Sequence, residues 1–174
     1  AFELMGAMLL TVRWWARFGF FAAAWLGLFH SVSAFNNAGF SLFSDSLISW
    51  RSDWVVNLTI AALVVSGGIG YLVLTELGSY RRAGRLSVHT RLVLVLTAVL
   101  IVGGTAAFYL IERSNPATLG SLPPAEAWLA ALFQSVTART AGFNSIDIGS
   151  MRNASLFLML VLMFIGAAPG GTGG

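Results

Sequence analysis

The chain has 174 residues, 57% of them hydrophobic and only 10% charged, with a mean hydropathy of +0.80. A soluble domain carries roughly 25% charged residues, so this supply cannot cover a water-facing surface and the composition places the chain in a membrane. The net charge of +3 comes from basic residues scattered between apolar runs, which argues against nucleic-acid binding, and the absence of Cys excludes disulfides and thiolate metal sites.

Taken in chain order, residues 1–16 read as the end of a membrane helix carrying Glu3, which either pairs with an Arg of a neighbouring helix or sits at a helix end. The stretch Phe18–Ser44 is free of charge, yet its apolar part is only Phe18–Phe29. His30, Ser31, Ser33, Asn36 and Asn37 follow. A span needs about 20 apolar residues, whereas 10–14 fit a re-entrant segment. The expectation is a half-membrane helix over 18–34 followed by an extended strip. Three longer uncharged runs, Trp54–Thr75, Leu92–Ile111 and Asn153–Gly174, are spanning candidates. Between the first two lies a link holding Arg81, Arg82, Arg85 and Arg91, cytoplasmic under the positive-inside rule. Arg13 and Arg17, on the opposite side, run against that orientation. Pro123 and Pro124 suit the first turn of a second short helix, expected over 123–138. Its apolar part, Ala127–Phe133, again gives way to Gln134, Ser135 and Thr137.

The two short segments are versions of each other. FHSVSAFNNAGF at 29–40 matches FQSVTARTAGF at 133–143, with the glycines Gly39 and Gly142 aligned. The clusters Gly67-Gly68-Ile69-Gly70 and Gly170-Gly171-Thr172-Gly173 repeat at the same spacing, which indicates an internal duplication. The strips Asn36-Asn37-Ala38-Gly39 and Arg139-Thr140-Ala141-Gly142 have the character of an ion filter. Backbone carbonyls that replace a hydration shell must leave helical geometry, which glycine permits, and non-helical backbone at membrane depth must line a wet cavity or be buried in protein. The plainer reading of either strip alone is a glycine turn between helices; duplication with matched polar flanks tips the reading to a pore.

The cluster at 67–70 reads as close helix packing and is expected to stay nearer helical. The run Gly170, Gly171, Thr172, Gly173, Gly174 after Pro169 reads as unwound and as a gate beneath the second strip. Arg139 would repel a cation if it faced the path, so it is expected to point away and pair with a carboxylate or with carbonyls, bracing the loop. His30 and His89 read as packing or interface residues rather than ligands. No Walker loop, nucleophile elbow or zinc spacing is present, so an enzyme is not expected.

The strings FHSVSAFNNAGF, SGGIG, QSVTARTAGFN and GAAPGGTGG resemble the Trk/Ktr/HKT superfamily of potassium transporters, most closely the Ktr-type membrane subunit, over essentially the whole chain. The resemblance implies an all-α integral membrane fold of helix–re-entrant pore loop–helix units around one path. On that basis 1–78 corresponds to the second of four repeats, 79–91 to a cytoplasmic link and 92–174 to the third repeat, so the chain reads as part of a longer protein. It further implies K+ translocation through filter carbonyls, with Na+ as a second candidate ion, no covalent cofactor and no metal beyond K+ at the filter. Implied partners are membrane lipid, a second copy in a homodimer and a cytosolic nucleotide-binding regulatory subunit, with no nucleic acid; the implied location is the plasma membrane, as a multi-pass protein. Half a filter cannot encircle an ion, so transport requires the remaining repeats. The competing reading is a carrier with broken helices at the midplane and rocking repeats. Inverted repeats would enter from opposite faces, whereas both copies here have the same order. A membrane scaffold without transport would not need polar strips.

Overall fold

The computed structural model describes the backbone of residues 1–173 and the side chains of all of these except 81–83. The described chain is helical, with no strand among the described residues. Helix α1 (Phe2–Phe18) is separated from α2 (Phe20–Phe35) by Gly19 alone, held at φ 78° and ψ 163°, where only glycine is unstrained. The chain folds back there and α1 packs along α2. A 3-10 turn at Ile48–Trp50 leads to Asp53, whose carboxylate accepts from Val55 N and Val56 N and so caps α3 (Trp54–Gly68). Helix α4 (Tyr71–Ala83) follows, then α5 (Val88–Glu112), capped by Ser87. Pro124 occupies the first position of α6 (Pro124–Thr137), as its fixed φ and missing N–H favour. A second 3-10 turn at Ile148–Ser150 precedes α7 (Asn153–Ile165).

The short segments run through their first polar residues and end at Phe35 and Thr137, close to the expected ends. Helices α2 and α6, with 16 and 14 residues, are about 24 and 21 Å long at 1.5 Å per residue, short of the ~30 Å hydrocarbon core of a bilayer. Helix α5, with 25 residues, is the one helix among the described residues long and apolar enough to cross a membrane on its own.

Two uncharged runs that were spanning candidates are not single helices. The Trp54–Thr75 run breaks between α3 and α4, which meet at 101°. The cluster at 67–70 therefore stays helical only in part. Gly67 and Gly68 close α3 and Ile69 is still in the right-handed region, but Gly70, at φ 92° and ψ 152°, leaves it. The cause is tertiary: Tyr71 N donates to Gly170 O, 3.2 Å away in another segment, instead of to its own helix. The Asn153–Gly174 run is helical only to Ile165, where Gly166 adopts φ 67° and ψ −153°. Residues 166–173 are non-helical, an unwinding that starts earlier than the expected 170.

The main core joins the two copies. Leu10, Trp14, Ala34, Val56 and Ile60 from the first pack with Phe133, Val136, Ala141 and Phe143 from the second. The outside is the reverse of a water-soluble surface: Phe164 is 93% exposed and Phe21 87%, among many other exposed large apolar side chains.

Candidate functional site

Each short helix ends in the same local geometry. Three non-glycine residues among those described have positive φ, and two of them, Asn37 (φ 50°) and Thr140 (φ 73°), occupy the matched position of the two strips. Gly39 (φ 71°) and Gly142 (φ 84°) follow at matched positions as well. A hydroxyl at each helix end clamps its strip: Ser33 Oγ donates to Phe40 O at 2.8 Å, and Thr137 Oγ1 donates to Phe143 O at 2.8 Å. Ala38 N bonds Ser33 O and Ala141 N bonds Thr137 O, so the turn out of the helix is also shared. Sequence likeness has become likeness of backbone.

The structure brings the strips face to face. A Cβ at Gly39 would lie 2.2 Å from Ala141 O and 2.8 Å from Gly142 Cα, so this contact admits no side chain. Gly142 is looser, with a Cβ there 3.4 Å from Gly39 Cα. Residues Asn36 to Gly39 and Arg139 to Gly142 thus form one locus. The cavity beside it, bordered by Asn37, Val64, Gly68, Val136, Arg139 and Ala167, holds about 10 Å³ of free space, the scale of a single water.

The glycine loop 166–173 runs directly beneath. A Cβ at Gly173 would be 2.4 Å from Thr140 Oγ1 and 2.9 Å from Asn37 Nδ2, so the loop touches the matched left-handed residue of each strip. Thr172 Oγ1 donates to Phe35 O, the last carbonyl of α2, at 2.8 Å, and Thr172 N donates to Gly67 O at 3.1 Å. Ala168 N donates to Gly68 O at 2.9 Å. The two glycine clusters, matched in sequence but expected to play different parts, interlock. Gly67 must lack a side chain because a Cβ would sit 1.8 Å from Phe35 O. Of the five residues read as a gate, Gly170, Gly171, Thr172 and Gly173 lie in this loop, and Gly174 lies outside the described residues.

Arg139 Nε donates to Gly166 O at 3.2 Å, the carbonyl partner that was one of two expected alternatives. Asn36, at the matched position, turns to α1, where its amide donates to Glu3 Oε1 at 3.2 Å. Glu3 lies in the first turn of α1, the helix-end placement that was one of its two expected alternatives, and supports the first strip. His30 is fully buried behind the strip, between Leu26 O and Ser41 Oγ, in a packing role. His89 borders a cavity between α5 and the loop.

Several supporting residues gave little sign of themselves in the sequence. Gly6 and Gly104 are equivalents: a Cβ on Gly6 would lie 2.7 Å from Ser31 Oγ and 2.6 Å from a Leu63 methyl, and one on Gly104 would lie 2.3 Å from Ser135 Oγ and 3.3 Å from a Leu162 methyl. Each glycine lets a short helix approach its preceding long one. Ser31 Oγ then donates to Glu3 O and Ser135 Oγ to Ile101 O. Glu112 is fully buried at the end of α5 and accepts from Arg152 N (2.8 Å), Ser155 Oγ (2.5 Å), Thr118 Oγ1 (2.5 Å) and Asn115 Nδ2 (2.7 Å). Its counterpart joint in the first copy is the Arg13–Asp53 ion pair at 2.6 Å, whereas Glu112 bonds the backbone of Arg152, whose guanidinium donates to Ser114 Oγ at 3.0 Å. The matched Ser31 and Ser135 are the sequence signal for the serine contacts; a lone glycine in an apolar run carries no such signal.

Residues 2–174 match the TrkH family, described as a cation transport protein. The Ktr system potassium uptake protein B of Vibrio alginolyticus is 46% identical over 174 residues, covering 99% of this chain and 38% of that protein. The Bacillus subtilis protein of the same name is 45% identical over 170 residues, covering 98% of this chain and 38% of its own length. The potassium/sodium uptake protein NtpJ of Enterococcus hirae is 38% identical over 172 residues, covering 99% of this chain and again 38% of that protein. The chain thus spans 38% of the length of these relatives. With the duplicated strips and the loop beneath them, this match over nearly every residue places the chain in the TrkH family of cation transport proteins.

Proposed function

We propose that this chain supplies two of the pore-lining units of a potassium uptake protein embedded in the plasma membrane, with K+ passing along the carbonyls of Asn36 to Gly39 and Arg139 to Gly142. The observation that carries this reading is the meeting of Gly39 with Ala141 and Gly142, two strips of the same backbone shape held within contact of one another. A filter needs several such strips facing one axis, so the remaining units come from the rest of the protein. The relatives' names, potassium uptake and potassium/sodium uptake, support K+ as the ion and Na+ as a second transported or activating ion. Transport of this kind needs no covalent cofactor and no chemical step.

In this reading α2 and α6 are half-membrane helices entering from the outer face, 1–78 and 92–174 are successive repeats, and the Arg-bearing link 79–91 is cytoplasmic. Loop 166–173 is the gate on the inner side of the filter. The apolar exterior faces lipid and a second copy of the whole protein, and the cytoplasmic face receives a nucleotide-binding regulatory subunit. In this reading two crossings separate the copies, so both short helices enter from the same face, which favours a pore over a rocking carrier, whose inverted repeats would enter from opposite faces.

The test is ion flux through the full-length protein in liposomes, with rubidium against sodium. Gly39→Ser and Gly142→Ser are expected to lower the rubidium-to-sodium ratio more than they lower the amount of folded protein. Unchanged selectivity at normal flux removes both glycines from the ion path.

A further inference from the structure

The loop 166–173 is fastened by bonds of two kinds. Four go to the first copy and are neutral: Ala168 N to Gly68 O, Thr172 N to Gly67 O, Thr172 Oγ1 to Phe35 O, and Gly170 O from Tyr71 N. The fifth goes to the second strip and is charged: Arg139 Nε to Gly166 O at 3.2 Å. Gly166 is where α7 ends and the chain swings into left-handed φ. The last carbonyls of a helix lack helical partners and carry the negative end of its dipole. A guanidinium placed there makes a charge-assisted bond, stronger than a neutral one.

Two further observations single Arg139 out. No acidic residue lines either cavity that it borders, so carbonyl oxygen is the acceptor on offer there. The matched residue of the first strip, Asn36, reaches α1 instead, through Glu3 and not through the helix that follows its strip. The cation therefore stands only in the copy whose following helix gives way to a loop.

Resting on the reading of 166–173 as a gate, we propose that Arg139 is a positioning residue that clasps the gate at its hinge, and that this clasp sets how often the loop leaves the path. Thr140 bears on Gly173 at the other end of the loop, so adjacent residues of one strip touch both ends of it. The strip that shapes the ion's path also holds the loop below it.

The experiment uses the full-length protein in liposomes without its regulatory subunit, comparing the parent with Arg139→Gln and Arg139→Lys. Basal rubidium flux, the rubidium-to-sodium ratio and the rate at which a water-soluble maleimide labels an Ala168→Cys reporter are all read. Arg139→Gln is expected to raise basal flux and labelling together by roughly tenfold, the scale on which loss of one charge-assisted hydrogen bond moves an equilibrium, and to move both far more than the ion ratio. Arg139→Lys, which keeps the cation as a compact ammonium without the planar fork, is expected to stop at roughly threefold. Should the glutamine variant not fold, the lysine variant carries the test. Parental flux and labelling in a folded variant overturn the proposal, as does loss of the ion ratio in step with the rise in flux, since Arg139 would then shape the filter rather than the gate. A parent that passes no rubidium refutes the pore reading itself, a result distinct from a conducting parent that Arg139→Gln leaves unaltered.

Discussion

In the first copy the helix after the strip runs from Trp54 to Gly68 and then turns by 101° into α4, whereas in the second its counterpart stops at Ile165 and becomes a glycine loop. The two helices start in step, from caps at Asp53 and Arg152, ninety-nine residues apart. They remain in step at Leu63 and Leu162, which pack against equivalent glycines of the preceding helices. In that register Gly67 aligns with Gly166 and Gly70 with Pro169. Glycine alone does not end the first helix, since Gly67 and Gly68 still lie within α3. Pro169 disfavours helical geometry at the residue before it and has no N–H to give, so the second helix has nothing to continue into. The same strip is thereby followed by a bent helix in one copy and by a glycine-rich loop in the other, and it is the loop that touches both strips.

Changes at the strips should have the largest effects and should separate the copies. Gly39→Ala adds left-handed strain of about 1–2 kcal/mol to a 2.2 Å overlap with the Ala141 carbonyl. It should abolish ion preference in liposome flux and lower the melting temperature in detergent. Gly142→Ala carries similar strain with only a 3.4 Å contact, and should retain part of the preference. Equal losses at the two positions would break the asymmetry described here.

The joints at the far ends of the long helices sharpen the comparison next. Glu112→Ala leaves four buried or part-buried donors without their acceptor, a loss of about 3 kcal/mol. Arg13→Ala removes a pair whose guanidinium side chain is 49% exposed, a loss of about 0.5 kcal/mol. Thermal unfolding of the two variants in one detergent checks the order. Between these falls Thr172→Val, which deletes the hydroxyl bond to Phe35 O; about 1 kcal/mol of loop anchoring should appear as a several-fold rise in basal rubidium flux with little change in melting.

Much of the site was legible because it is written twice. The Ser-Val-Ser-Ala and Ser-Val-Thr-Ala segments with their following Ala-Gly-Phe mark both helix ends within two residues, and polar residues at 30–37 and 134–140 reveal that neither short helix continues. The bend at Gly70 was not legible, since an isolated glycine cluster in an apolar run is compatible with a helix, and the partner that stabilises the break, Gly170 O, is a hundred residues away. The fixed spacing of the glycine clusters showed their duplication, not that they dock on each other. Glu112, at the edge of an apolar run, gave no hint of the four donors that converge on it from a later loop and helix. A carboxylate or carbonyl partner for Arg139 was anticipated on chemical grounds, because an unneutralised cation at membrane depth is disfavoured whatever the fold, but its acceptor could be named only once α7 was seen to end at Gly166.

The central claim is that the two strips act as one site, and a double-mutant cycle on ion preference tests it most directly. The rubidium-to-sodium flux ratio would be measured for the full-length parent, Gly39→Ser, Gly142→Ser and the double variant in the same liposomes. Residues in contact couple, whereas distant independent sites add. The account predicts that the double variant loses little more preference than Gly39→Ser alone; losses that simply add would show the strips working independently and contradict it.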